Sequence, residues 1–443
     1  MKDFKIKHYD YGRAQQHKQN IRSALVTLLM TAAALAAGWF IYPPVYELVT
    51  NYEAFLSRFP QPDAPPLDGP ESGPSESEPD QLPPDDSAEA TLFPQAAVYL
   101  SPEVLEDAAA LDAALASLGR KGVDGVVFDL KDVDGMVRYR SSLELVESNR
   151  AQGENPYNLS RTLDRIRRAG MTPVGRIYAF KDRTATAHMY ESAVKYMDSP
   201  VNWIDDSKAN GGKPWLNPND RDAQDYILAL VEEAADSGLG MILLDGVQFP
   251  EGVSLNLATY GNTGTLDKSA ILADFLTRAR GVGERTGCQV ATTVNLISAA
   301  GLSDVRYGED VGKLISAVGS AVVEVMPEQF GNGVTSETLT LSAPAQDPYG
   351  TVSQALSVSR EALLLNGEDE DNGDEDEDQD QGQAGERPLL GAVVQAYTSR
   401  FLSESANREY GAREVQDQVR AVQEVGIQSI FYLDPDGAYD LLG

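Results

Sequence analysis

Eight short runs of apolar, largely β-branched residues recur along the chain, with stretches of helical spacing between them. No other feature limits the possible folds so strongly. The runs are AAVYLS ending at Ser101, then residues 125–132, 172–180, 241–249, 289–295, 321–326, 389–397 and 428–434. Their near-continuous apolarity suits strands covered on both faces, as in a parallel sheet. Ser101-Pro102-Glu103 reads as a helix start, with Ser as N-cap and Pro in the first turn. Leu159, Leu163 and Ile166 recur at helical spacing until Gly170 stops the run. Residues 222–237, 268–285, 352–365 and 413–425 behave similarly. Eight strands and seven intervening helical regions predict an α/β fold, a (β/α)8 TIM barrel, over residues 95–443. The sequence stops at Gly443, so an eighth helix is expected to be little more than a turn. A doubly wound open sheet is the alternative, but no Gly-rich phosphate loop supports it.

The regions around the barrel have different chemistry. Residues 23–42 carry no charge for 20 positions, enough for a helix to cross the hydrocarbon core of a bilayer. Trp39, Phe40 and Tyr42 crowd the end of this run, where an interfacial aromatic belt belongs. Lys2, Lys5, Lys7, Arg13, Lys18 and Arg22 precede it, against Asp3 and Asp10. This basic flank predicts a cytoplasmic tail over 1–22, a transmembrane signal anchor over 23–42 and an extracellular barrel. Ala34-Leu35-Ala36 resembles a signal-peptide cleavage site, but the long apolar run and long basic tail favour an uncleaved anchor. Residues 43–94 form a linker, rich in Pro, Ser and acidic residues from Gln61 to Asp86 and expected to be extended. Residues 366–386 hold ten acidic residues between Glu368 and Asp380, expected as a disordered insertion rather than a calcium site.

Composition removes several kinds of chemistry. The formal charge is −32, from 36 basic and 68 acidic residues. A nucleic-acid partner would need a basic face, so none is expected. One cysteine excludes an intrachain disulfide framework, and of three histidines only His188 lies beyond the N-terminal tail. Ser-His-Asp, Cys-His and multi-histidine metal chemistry are therefore nearly excluded. Catalysis must rest on carboxylates, Lys, Arg, Tyr and amides, and the sequence calls for no cofactor. His188 reads as a surface or packed residue, and Cys288 as a small buried hydrophobe.

In a barrel of this class, chemistry sits at the C-terminal strand ends, and alternation along each strand assigns the faces. Asp129 and Lys131 share a face with Val127, and Arg176 shares one with Tyr178. Asp245 follows Leu243, Glu324 precedes Met326, Gln395 precedes Tyr397, and Tyr432 precedes Asp434 on common faces. Charges within apolar strands are costly unless they pair or line a wet cleft. The competing reading makes Asp129–Lys131 and Arg176 structural ion pairs at the rim. Trp203 and Trp215 flank a long loop at 199–219, where they either stack on sugar faces or pin the loop.

Five stretches resemble a bacterial glycoside-hydrolase-like family with a TIM-barrel domain, found in secreted and membrane-anchored proteins. GVVFDLKDVDGMVRY is similar to its second-strand motif, and GMTPVGRIYAFKD to its third. WLNPNDRDAQDYILALVEEAADSGLGMILLDGVQFP resembles its most specific block. VEVMP resembles its sixth strand, and YGAREVQDQVRAVQEVGIQSIFYLDP its last helix and strand. The chain departs from the family pattern at four places. Gln248 stands where Arg is usual, Gly246 where Tyr is usual, and Thr293 where Asp is usual. Glu324-Val325-Met326-Pro327-Glu328 replaces Ser-Pro-Met and a Tyr, so Glu324 or Glu328 is a candidate for the missing acid.

The resemblance implies a membrane-tethered hydrolase of cell-wall or extracellular polysaccharide, such as peptidoglycan. Glycoside hydrolysis uses two carboxyl groups. Asp245 is the candidate nucleophile or base and Glu324 the candidate acid, with Asp129 and Asp132 as second choices. Lys131, Arg176, Tyr178, Trp215, Gln395, Tyr397 and Asp434 are the candidate substrate-binding residues. Residues 43–443 carry 30 basic and 66 acidic side chains, a balance of −36 that favours neutral or amino sugars over anionic ones. Two other functions compete: a degenerate barrel that binds glycan or scaffolds the envelope, and a hydrolase holding Mg or Ca on Asp129, Asp132, Asp245 and Glu324. Lys131 amid those acids argues against the metal.

Overall fold

The computed structural model describes residues 93–261, 265–302, 307–365 and 387–442. The expected anchor at 23–42, the acidic insertion at 366–386 and all but the last two residues of the expected linker lie outside them. Among the described residues no helix is long and apolar enough to cross a membrane.

Eight parallel strands close into a barrel: β1 (Ala96–Leu100), β2 (Gly125–Lys131), β3 (Thr172–Tyr178), β4 (Met241–Asp245), β5 (Gln289–Asn295), β6 (Ser320–Glu324), β7 (Leu389–Gln395) and β8 (Ser429–Leu433). Each strand pairs in parallel with the next. Ala96 lies opposite Ile430, so β8 pairs with β1 and leaves no open edge. Among the described residues, seven helices of eight residues or more connect them: α1 (Ala108–Arg120), α2 (Leu159–Arg168), α3 (Arg221–Asp236), α4 (Lys268–Thr286), α5 (Val311–Val318), α6 (Pro348–Val358) and α7 (Ala412–Glu424). This is the TIM-barrel arrangement, and the described chain after β8 runs on without a helix.

The helix starts are written in short polar side chains. Asp107, Asp220, Asp267, Asp310 and Asp347 each accept an orphan first-turn amide, as does Asn158 for α2. An acid here also meets the positive end of the helix dipole. The start expected at Ser101 is real but yields only Pro102–Glu106, after which Asp107 caps the longer α1. After β2 the chain makes an excursion that the alternating pattern did not announce. Val137–Tyr139 runs back antiparallel to β2, and Gln152–Tyr157 pairs beside it.

One residue from each strand fills the barrel's lower interior: Ala97, Val127, Val174, Leu243, Ala291, Val322, Val393 and Phe431. Two residues further along each strand, the same inward face carries Tyr99, Asp129, Arg176, Asp245, Thr293, Glu324, Gln395 and Leu433. The barrel thus has an apolar floor and a polar ceiling at the C-terminal strand ends. The pattern breaks at two expected positions. A bulge in β2 sets Asp129 and Lys131 opposite the consecutive residues Arg176 and Ile177, which turns Lys131 away from the mouth. On β8 the inward residues are Phe431 and Leu433, while Tyr432 packs against the helix-side clusters, so the expected Tyr432–Asp434 face is out by one residue.

Candidate active site

The mouth divides by strand. On the β1–β4 side, Arg176 lies opposite Asp129 in register, and its Nε donates to Asp129 Oδ1 at 2.6 Å. Its Nη1 lies 3.6 Å from Asp245 Oδ2. The guanidinium sits 4.9 Å from the ring centre of Tyr99 and 5.0 Å from that of Tyr178, so two aromatic rings hold it in plane. Tyr178 lies opposite Asp245, and its hydroxyl acts to lower the pKa of that carboxyl. Burial pushes the Asp245 carboxyl above its usual range; Arg176 opposes the shift and Asp129 adds to it. The Asp245 charge, together with burial, holds the Tyr178 hydroxyl protonated far above its ordinary range. Gly246 follows at φ +63°, a left-handed turn that glycine takes without penalty, and its amide acts to lower the Asp245 pKa.

On the β5–β7 side, Glu324 lies opposite Asn295. Its Oε2 accepts from Gln329 Nε2 at 2.9 Å and meets Asn295 Nδ2 at 3.4 Å. Burial lifts the Glu324 pKa to about 7, with the Asp245 charge adding to it. The Gln329 amide and Arg176 pull the other way. A 3-10 turn, Pro327–Phe330, follows β6 and carries both Glu328 and Gln329. Tyr397 donates its hydroxyl to Glu328 Oε1, and the Glu328 amide donates to Gln395 Oε1 at 3.1 Å.

The mouth therefore holds two largely buried carboxyls on β4 and β6, with the Asp245 charge acting on Glu324. One holds its proton well above the usual carboxylate range, and the other lies beside a guanidinium. A proton donor and a charge-bearing partner across one cleft are the equipment of acid-assisted cleavage at an acetal carbon. Residues 97–439 match the family model described as "Putative glycosyl hydrolase domain". The chain belongs to this family. No match was found among curated proteins. Among solved structures, the glycoside hydrolase domain of PgaB (BpsB) from Bordetella bronchiseptica is 12% identical, with a TM-score of 0.51 over 79% of this chain and 98% of that one. A hypothetical protein from Ruminiclostridium thermocellum is 27% identical, with a TM-score of 0.39, covering 44% of this chain and 96% of its own. The PgaB domain shares the fold; its function stays with that protein.

In this family member the structure gathers Asp129, Arg176, Tyr178, Asp245, Glu324 and Tyr397 of the expected residues at the mouth. Five others have structural duties. Lys131 is fully buried, pairs with Asp182 at 2.9 Å and donates to the Tyr178 carbonyl at 2.6 Å, because the β2 bulge points it sideways. Asp132 accepts the amides of Asp134 and Met136, both at 2.9 Å, and pairs with Arg138 at 2.6 Å. It organises the turn after β2 instead of facing the cleft. Trp215 is 1% exposed and donates to Asp205 at 3.1 Å, leaving no ring face for a sugar. With Trp203, bonded to the Ser254 carbonyl at 3.3 Å, it pins the long loop. Gln395 is fully buried and holds the Glu328 amide and the Tyr397 carbonyl. Asp434 accepts the amides of Asp436 and Tyr439, both at 3.0 Å.

The four carboxylates considered as metal ligands do not converge, since Asp132 faces Arg138 and Arg176 stands between Asp129 and Asp245. Among the described residues no group of three His, Cys, Asp or Glu side chains is spaced for a metal ion. His188 is exposed, and Cys288 is buried with its thiol pushed up to about 12 by burial. The sequence reading passed over Tyr99, Asn295 and Gln329. The Ala97–Tyr99 and Thr293–Asn295 alternation carried the first two, but Gln329 lies on a turn with no period to read.

Proposed function

We propose that the chain is a glycoside hydrolase acting on cell-wall or extracellular polysaccharide, with Glu324 as general acid and Asp245 as nucleophile or base. The supporting observation is the carboxyl pair itself. Glu324 keeps its proton to about pH 7 in a buried site, as a donor to a glycosidic oxygen must. As that oxygen takes the proton, the bond to the anomeric carbon breaks. Asp245 then either bonds to that carbon or removes a proton from the attacking water. Arg176 steadies Asp245 in its charged form, and Tyr178 orients it. Neutral or amino sugars suit the −36 balance of residues 43–443 better than anionic ones.

The full chain and its Asp245→Asn variant should be incubated with peptidoglycan and a panel of α- and β-linked polysaccharides, and new reducing ends counted. The native chain is expected to release them about 10³-fold faster than the variant. Equal release by both would remove Asp245 from the chemistry. Thr293 and Gln248, standing where the family usually has Asp and Arg, favour a second reading: a barrel that binds glycan without cleaving it. Saturable binding with no product from any polymer would select that reading.

The uncharged run at 23–42 and its basic flank support a tether that keeps the N-terminus cytoplasmic and the barrel outside. Protease added to intact cells should then digest the barrel while residues 1–22 stay protected. A barrel that resists protease until the cells are lysed would contradict the topology.

A further inference from the structure

We infer that Phe401, on the loop after β7, is a platform at the rim of the mouth on which one sugar unit of a polymeric substrate stacks. The inference rests on the hydrolase reading for the chain being cleaved, but not for the binding of sugar. The first observation is exposure. Phe401 is 89% exposed, and among the described residues no other large hydrophobic exceeds 55%. The tryptophans of the 199–219 loop offer nothing comparable, since Trp203 is 0% and Trp215 1% exposed. A sugar arriving from solvent therefore meets the Phe401 ring with no rearrangement of the protein.

The second observation is that the loop is tied on both sides. Arg400 pairs with Asp436, on the segment after β8. Ser403 donates its amide and its hydroxyl to Asn332 Oδ1, at 3.3 and 3.2 Å, on the segment after β6. Gln346 Nε2 donates to the Ser405 carbonyl at 2.7 Å, and Arg408 Nη1 to the Gln346 carbonyl at 2.9 Å. Asn407 Nδ2 closes the loop on the Ser399 carbonyl at 2.7 Å. Phe401 thus lies between two tethers, and its exposure does not come from a loose loop. A ring held this way loses little further freedom when a ligand binds.

The third observation is position. Phe401 stands four residues after Tyr397, so their Cα atoms are at most about 14 Å apart. Tyr397 donates to Glu328, and the next residue, Gln329, donates to Glu324 at 2.9 Å. The Asn332 tether begins three residues beyond Gln329. Two short routes therefore tie the ring to the candidate acid, at the end of the barrel where the mouth opens. The neighbours decide what stacks there. Arg400, Ser403, Glu404 and Ser405 are all exposed around Phe401 and the half-buried Leu402, so the ring is a single apolar face among polar side chains. A protein partner would need a wider apolar patch. One ring suits a pyranose, whose C–H bonds meet the negative face of the aromatic while its hydroxyls reach the polar neighbours. Phe has no polar handle, so it reads only the sugar's face. Sugars with equatorial hydroxyls, as in glucose, should stack better than those with an axial one, as in galactose.

The test uses the full chain and matched α- and β-linked oligosaccharides of glucose, N-acetylglucosamine and galactose, two to six units long. On the longest chain that is cleaved, Phe401→Ala should raise KM about 10-fold and leave kcat within about 2-fold. On the shortest chain cleaved it should change neither, and Phe401→Tyr should restore the native values on both. Equal losses on long and short chains, or no loss on either, would overturn the subsite. Binding is read without cleavage in the full chain carrying Asp245→Asn and Phe401→Trp. Its exposed indole should shift its emission to the blue as six-unit glucose chains saturate it, and at least about 3-fold less tightly with galactose chains. An equal response to galactose would overturn the selection by face. No shift with any oligosaccharide would overturn the platform, and so would a shift that grows with protein concentration alone, which would assign the ring to a second copy of the chain. A saturable shift with no cleavage by the native chain would sink only the hydrolase reading. Cleavage without a shift would sink only the subsite.

Discussion

The two sides of the barrel mouth use similar residues in opposite ways. On the β1–β4 side the charges are answered: Arg176 bridges Asp129 and Asp245, and two tyrosine rings clamp it. On the β5–β7 side, among the described residues, Glu324 meets amide donors alone, and Glu328, Gln329 and Thr293 each keep an unmet atom. A closed network fixes geometry and charge. An open one leaves a carboxyl free to hold its proton.

Removing Arg176 is the strongest way to break the contrast. Arg176→Met leaves two carboxylates buried at the mouth without a cation, which should cost about 3–5 kcal/mol in urea unfolding at pH 7. Because Arg176 opposes the upward shift of Asp245, its loss should also carry that shift further and move the acidic limb of any activity profile to higher pH. A stability change below about 1 kcal/mol would mean that the ion pair does not close this side.

The barrel was legible because its strands are apolar on both faces, and the residues of β5, 289–295, coincide with the expected run. The helix starts were legible wherever an Asp or Asn precedes an apolar period. Helix α5 was not singled out, being only Val311–Val318, about two turns. Asp129, Arg176, Asp245 and Glu324 were legible as charges late in apolar strands, where only a partner or a cleft tolerates them. Lys131 obeyed the same rule and misled, because one bulged residue reverses the facing of everything after it. Strand β8 offered no phase at all, since Ile430, Phe431, Tyr432 and Leu433 are all apolar. Asp132 and Asp434 carried a signal that strand periodicity could not use. Each opens an Asp-x-Asp-Gly stretch, and Asp before such a turn accepts backbone amides two or more residues on.

A gentler change sharpens the contrast from the open side. Glu324 holds its proton to about pH 7 in the folded chain, whereas an unfolded glutamate releases it near 4.5. Between those values the native state binds a proton that the unfolded state has lost, so stability falls as pH rises through the window and stays lower above it. Glu324→Gln has no proton to lose and keeps an amide for Asn295 and Gln329 to meet. The variant should match the native chain near pH 4 and exceed it by about 3 kcal/mol at pH 8, while cleaving nothing at either pH. Urea midpoints at the two pH values measure the difference directly. A variant less stable at pH 8 than at pH 4, relative to the native chain, would show that Glu324 is paired and charged when folded. The open side would then be closed like its neighbour, and the general acid would have to be sought elsewhere in the mouth.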